Sequence, residues 1–224
     1  LQHHASGCYS VYSEVKRSNR KAESLLCTAE KFSVLAYVLF GREYPQESLT
    51  RAWKNLLFAQ FHDILGGTST PEAYEGVRDI HGEALHKGRE ELNYAVQKLT
   101  SNIETLGKGT PIIVFNPNSW RSRFPIEVEG VSIHGGLLDD EGEGFLMQRI
   151  QSSASMGDWS KRFVFIADLP AFGYRVYHNV DKVPKYEDQK EMKATESTIE
   201  NGWLRIEIDP STGYLSRLYD KKNK

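Results

Sequence analysis

Two adjacent side chains, His62 and Asp63, are the best equipped for chemistry in this sequence. Near pH 7 a histidine can be a neutral imidazole with a free nitrogen, which suits a divalent metal ion such as zinc. An ionised aspartate is only an acceptor, which suits a ligand that carries hydroxyl groups or the support of a metal ligand. A His-Asp pair by itself more often has a structural role, so the surrounding residues decide its interpretation.

The pair lies where a helical pattern ends. Apolar residues at helical spacing predict a helix from about Gln46 to Ile64, and Gly66 and Gly67 follow it. Thr70 and Pro71 are the residue types expected at the N-cap and in the first turn of a further helix. The pair is therefore expected at a helix end beside a glycine turn, where a ligand could meet residues from another domain.

A helical bundle is predicted around this position. A stripe of apolar residues recurs every seven positions from Ser13 to Phe40 and predicts a long first helix. Its members are Val15, Ala22, Ala29 and Ala36, with Leu25, Phe32 and Leu39 as a second set. The alanines predict close approach of a neighbouring helix. A last helix is expected from Pro71 to about Leu106, and short connections favour antiparallel packing of the three.

The period changes from helical to alternating after Gly107. Short alternating segments with turn signals between them predict an antiparallel β-sandwich. The fold class is thus an α+β multidomain fragment: a three-helix bundle with an N-terminal loop over residues 1–110, then the start of a β-sandwich over 111–224. The sequence ends just after a strand, so the sandwich is expected to be incomplete and the chain to be truncated.

Composition excludes several classes. Of 224 residues, 39% are hydrophobic and 26% charged, and the formal net charge is −2 without a basic block, so no nucleic-acid partner is expected. No apolar run approaches the roughly 20 residues that span a bilayer, so no membrane partner is expected. Cys8 and Cys27 form neither a metal-binding spacing nor a disulfide framework, which favours a cytoplasmic location.

The segment around the pair resembles a known signature. Residues 60–69, Gln-Phe-His-Asp-Ile-Leu-Gly-Gly-Thr-Ser, are similar to the start of the last long helix in the middle domain of glycoside hydrolase family 38, the retaining α-mannosidases. Gly66 stands where many bacterial members have proline. Four further segments, 4–10, 16–23, 114–120 and 200–204, resemble the family in the same order. The resemblance therefore covers nearly the whole chain.

This resemblance implies a role for each residue of the pair. In the family, His62 would be one ligand of a zinc ion at the sugar-binding subsite, and Asp63 would accept hydrogen bonds from mannose hydroxyls. The loop that contains Tyr9 would line the same pocket, with Tyr9 as a substrate contact. The nucleophile and the acid/base would be carboxylates of an upstream barrel domain, so no catalytic residue is expected here and this fragment alone is expected to be inactive.

The whole protein would then hydrolyse terminal α-linked mannose from glycans or oligosaccharides, with one Zn²⁺ per active site. Its partners would be the mannoside substrate and its own barrel domain, and homo-oligomerisation stays open. Two alternatives remain. One is a non-catalytic module that binds carbohydrate or protein. The other is a His-Asp type metal-dependent phosphohydrolase, which would be all helical and would need further ligands on neighbouring helices.

Overall fold

The helical half of the computed structural model consists of four helices. The structure describes residues 6–8, 10–130, 135–145, 147–151, 162–181 and 192–223. The helices are α1 (Ser13–Phe40), α2 (Gln46–Phe58), α3 (His62–Gly66) and α4 (Pro71–Thr100). α1 ends at Gly41, whose φ of 66° is readily adopted by glycine. α4 begins as expected, with the Thr70 side chain accepting from the Ala73 N–H and proline in the first turn.

The three long helices pack as an up-down-up bundle. α1 and α4 run parallel, because Glu14 bonds to Arg78 and Ser18 lies against His81 near their first turns. Their later turns share a cluster of buried residues, namely Phe32, Ala36, Ala95 and Leu99. α2 runs antiparallel to both, since Asn55 near its end donates to Glu83 at 2.8 Å.

Small residues set the close approach of α1 and α4. Ala22, Ala29 and Ala36 are fully buried, as the sequence predicts. A Cβ added at Gly88 would lie only 3.1 Å from atoms of Leu25 and of Leu26. The second predicted set is partly wrong. Leu39 is 60% exposed, and the fully buried leucine is Leu26 rather than Leu25.

Two predicted helix bounds are also wrong. The helix expected to reach Ile64 ends at Phe58, and His62 begins the separate short helix α3. The last helix ends at Thr100 instead of Leu106, where the Asn102 side chain donates to the Lys98 carbonyl at 2.8 Å. Side-chain hydrogen bonds occur at both helix ends. Such bonds do not change the spacing of the apolar residues from which the helices are predicted.

The β half contains eleven strands among the described residues. They are β1 (Thr110–Phe115), β2 (Ser122–Glu129), β3 (Gly136–Leu138), β4 (Gly144–Phe145), β5 (Gln148–Ile150), β6 (Arg162–Leu169), β7 (Tyr174–Val180), β8 (Lys193–Ala194), β9 (Thr198–Glu200), β10 (Leu204–Ile208) and β11 (Leu215–Asp220). Three antiparallel sheets form, with the orders β1-β7-β3-β4, β2-β6-β5 and β11-β10-β9-β8.

The first two sheets share one core. Phe165 of β6 and Tyr177 of β7 meet at 4.9 Å between ring centroids, and alternate residues of β6 are buried. The predicted α+β class, a helical bundle followed by antiparallel sheets, is confirmed. None of the helices in the described residues is long and apolar enough to span a lipid bilayer.

Candidate functional site

His62 is the first residue of α3 and projects from the surface. Phe61 before it is extended (φ −53°, ψ 142°), so the chain turns into the helix at His62. The side chain of His62 is 79% exposed and that of Asp63 is 50% exposed, with His62 Nε2 3.3 Å from Asp63 Oδ1. The Phe61 ring lies 4.1 Å from the imidazole. His62 is therefore not a buried histidine that serves only to pack a helix end.

Gln60 fixes where the helical chain breaks before the pair. Its side-chain amide donates to Asn19 Oδ1 at 3.2 Å and to Glu23 Oε1 at 2.8 Å, both on α1. Asn19 is itself buried, so this amide contact lies largely away from water. A hydrogen bond in such surroundings stabilises one chain position strongly, because its loss leaves a buried polar group unpaired. The Ala59–Phe61 connection is thereby held against α1.

The segment after the pair is a tight turn. Gly67 ends α3 in the left-handed conformation (φ 79°, ψ 23°), with its N–H directed at the carbonyls of Asp63 and Ile64. The Thr68 N–H donates to the Asp63 carbonyl at 3.0 Å. The Asp63 carbonyl is thus hydrogen-bonded within the turn, while the Asp63 carboxylate stays half exposed.

Tyr74 is a residue of this site whose helical spacing with the apolar residues of α4 predicts only a core position. It is 1% exposed, and its hydroxyl lies 3.2 Å from the Asp63 carbonyl and 3.3 Å from the Ile64 carbonyl. The Ser69 N–H donates to the same hydroxyl at 3.2 Å. Its position one helical turn after the N-cap Thr70, in the helix that follows the His-Asp segment, is the available signal.

The N-terminal loop lies beside α3. Tyr9, the expected substrate contact, is outside the described residues. Three residues later in the chain, Tyr12 stacks on Tyr74 with ring centroids 3.8 Å apart. A Cβ added at Gly67 would lie 2.6 Å from a methyl group of Val11, so the loop backbone and the glycine turn are in contact. The loop and the His-Asp segment therefore belong to one surface.

The donor set of this surface suits part of a metal site. His62 offers an exposed imidazole and Asp63 an exposed carboxylate, both acceptable zinc ligands, but zinc takes about four. No group of three or more His, Cys, Asp and Glu side chains that could hold a metal ion occurs within the described parts of the chain. The pair alone could therefore supply at most one or two of the ligands that zinc takes.

The helical part of the chain matches a known protein family. Residues 3–99 match the family described as alpha mannosidase middle domain. This range contains the His62–Asp63 pair, the first three helices and all of α4 except its last residue, Thr100. The helical half is thus similar to an alpha-mannosidase middle domain.

Relatives of the same kind match beyond the helices. The chain is 24% identical over 221 residues to human alpha-mannosidase 2C1, which covers 95% of this chain and 18% of that protein. It superimposes with a TM-score of 0.74 at 18% identity on an alpha-mannosidase from Enterococcus faecalis V583, covering 97% of this chain and 29% of the other. A glycosyl hydrolase family 38 protein from Enterococcus faecalis gives a TM-score of 0.73.

Nearly the whole chain is thus similar to alpha-mannosidases, and residues 3–99 match their middle domain. It spans less than a third of the length of these relatives. The antiparallel sheets after the bundle have no place in the all-helical phosphohydrolase considered above, and the match of residues 3–99 to an alpha-mannosidase middle domain also argues against that alternative.

Proposed function

We propose that this chain is the middle and early C-terminal part of a retaining α-mannosidase that removes terminal α-linked mannose from glycans or oligosaccharides. The observation that carries the proposal is the exposed His62–Asp63 pair at the start of α3, within a domain of the α-mannosidase family. In this proposal His62 is one ligand of a zinc ion and Asp63 accepts hydrogen bonds from mannose hydroxyls.

Under this proposal, the side chains that cleave the glycosidic bond lie in another part of the whole protein. Retaining glycosidases need two carboxyl groups roughly 5 Å apart, one as nucleophile and one as acid/base. We assign both to the upstream barrel domain and none to the residues described here. The contribution of this chain is to bind and orient the sugar beside those groups, which lowers the barrier by fixing geometry.

The surface around the pair supports this role. The His62 imidazole is accessible, and the turn behind it is held by hydrogen bonds at Asp63 and Thr68. A zinc ion bound there would act as a Lewis acid toward sugar oxygen atoms. An ionised Asp63 accepts O–H bonds that are about twice as strong as those between neutral groups. We also propose Tyr9 as a sugar contact and a cytoplasmic location for the protein.

Substitution of the pair tests the proposal in the full-length protein. His62→Ala should remove zinc and nearly all hydrolysis of an aryl α-mannoside, because the metal loses a ligand. Asp63→Asn keeps the shape of the side chain and should leave zinc bound. It should lower kcat/KM by roughly a hundredfold, the scale of a lost charge-assisted contact of about 3 kcal/mol. Zinc is measured by mass spectrometry of the purified variants.

Matched controls come from α4. His86→Ala and Asp79→Asn change exposed residues of the same types and should alter neither zinc content nor activity. Melting curves should show that His62→Ala stays folded, since an exposed side chain contributes little packing. If His62→Ala retains stoichiometric zinc, or if its only change is a lower melting temperature, His62 is not a zinc ligand.

A further inference from the structure

α3 is too short to hold its own position. A helix of five residues leaves most of its carbonyls without an intrahelical partner, and such a short helix has little stability alone. Its carbonyls at Asp63 and Ile64 accept from the N–H groups of the turn at Gly67 and Thr68, and both are also contacted by the Tyr74 hydroxyl. The position of the His62–Asp63 pair therefore depends on a side chain of the next helix.

The Tyr74 hydroxyl joins both ends of the turn between α3 and α4. It contacts the carbonyls of Asp63 and Ile64 before the turn, and it accepts from the Ser69 N–H after it. Tyr74 is 1% exposed, so water does not compete for these bonds. A buried hydroxyl with partners on both sides of a turn fixes that turn more firmly than an exposed one would.

The ring of Tyr74 contacts a second segment. It stacks on Tyr12 at 3.8 Å with an interplanar angle of 15°. Tyr12 has a φ of 48°, a conformation that costs energy for a residue other than glycine and that needs support from its surroundings. Lys16 adds support by donating to the Val11 carbonyl at 2.6 Å. One buried tyrosine thus links the N-terminal loop to the turn that follows the pair.

We propose that Tyr74 is the positioning residue of this site: its hydroxyl sets the place of His62 and Asp63, and its ring sets the place of the loop that precedes α1. The inference rests on the proposed function, in which both segments face one bound mannoside. Removing the hydroxyl alone should leave α4 and the ring stack in place and loosen the turn that carries the pair.

Tyr74→Phe in the full-length protein is the test, with Tyr94→Phe as the matched control. Tyr94 lies on the same helix but is 52% exposed. In metal-free Tyr74→Phe, hydrogen exchange should accelerate at the amides of residues 67–69. The zinc affinity should fall by about 10- to 100-fold, the usual effect of losing a residue that orients a metal ligand. Excess zinc should restore part of kcat, and Tyr94→Phe should match the wild type.

A second variant separates the two contacts of the tyrosine. Tyr12→Ala removes the stacking partner and leaves the hydroxyl bonds, so it should raise KM for the aryl α-mannoside more than it weakens zinc binding. Tyr12→Phe keeps the stack and should behave as wild type. If Tyr12→Ala weakens zinc binding as much as Tyr74→Phe does and leaves KM unchanged, the assignment of separate contacts is wrong.

Two results distinguish failure of this inference from failure of the proposed function. If His62→Ala loses zinc but Tyr74→Phe keeps wild-type zinc affinity and wild-type exchange at residues 67–69, Tyr74 is only a core residue and the inference is overturned. If His62→Ala keeps its zinc, the proposed function fails, and exchange in metal-free Tyr74→Phe still decides whether the hydroxyl holds the turn.

Discussion

His81 illustrates how a single residue of the bundle is adapted to its surroundings. It is 1% exposed on α4, and its Nδ1 lies 2.5 Å from the Ser18 hydroxyl of α1. Burial lowers its pKa from the ordinary 6.5, because the charged imidazolium would lose its hydration. Its helical spacing without a second ligand type predicts a structural histidine, and these contacts agree with that role. The exposed ion pair of Glu14 and Arg78 lies nearby on the same two helices.

His81 is expected to make the stability of the protein sensitive to acid. Below about pH 6.5 the unfolded chain binds a proton at this residue more readily than the folded chain, because the folded-state pKa is lowered, so the free energy of unfolding should decrease as the pH decreases, by up to about 1.4 kcal/mol per pH unit. His81→Gln should lose this dependence between pH 7.5 and 5. His86→Gln, an exposed site on the same helix, should keep it. Denaturant unfolding at several pH values measures both, and parallel curves for wild type and His81→Gln would contradict the prediction.

At the scale of elements, the turn between α3 and α4 depends on two glycines with different requirements. Gly67 has a φ of 79°, and a Cβ there would lie 2.6 Å from Val11 Cγ1. Gly66 is helical, and a Cβ there would meet only the Thr68 hydroxyl at 3.9 Å. Only Gly67 needs to be glycine, both for its backbone conformation and for the approach of the N-terminal loop.

Gly67→Ala should therefore destabilise the protein by at least about 1–2 kcal/mol, the cost of a left-handed alanine before any steric overlap is counted. Gly66→Ala should be neutral or stabilising by up to about 1 kcal/mol, because alanine is the better helix former. Thermal unfolding compares the two variants, which differ by one position. Equal melting temperatures would mean that the loop containing Val11 moves away at little cost.

The same elements show how far local patterns reach. The seven-residue spacing predicts the burial of Ala22, Ala29 and Ala36, because helical periodicity is a local property of the chain. It does not predict the break at Ala59–Phe61, which depends on the bonds of Gln60 to α1. Nor does it predict that Glu91 is buried, since that requires Arg42 from the α1–α2 connection at 2.8 Å. The His-Asp pair is predictable from its residue types, whereas the role of Tyr74 is not, because its hydroxyl contacts are tertiary.

At the scale of the whole molecule, the bundle and the β half meet at Phe115. Phe115, the last residue of β1, packs against the cluster at the end of α1 and α4 and meets Phe32 edge to face at 5.4 Å. Lys31 donates to the Pro117 carbonyl at 3.1 Å, and His178 Nε2 lies 3.3 Å from the Thr105 carbonyl. Aromatic packing with polar contacts on either side favours unfolding of the two halves as one cooperative unit.

A double-mutant cycle measures the coupling of the two halves. Phe32→Leu and Phe115→Leu each keep an apolar side chain but remove the edge-to-face contact, so their effects on the free energy of unfolding should be non-additive by about 0.5–1.5 kcal/mol. Phe145→Leu is the control, because Phe145 packs on Tyr177 within the β half. Its effect should add to that of Phe32→Leu within about 0.5 kcal/mol. If the effects of Phe32→Leu and Phe115→Leu are also additive, the bundle unfolds independently of the sheets. The denaturant curve should then show two separate transitions.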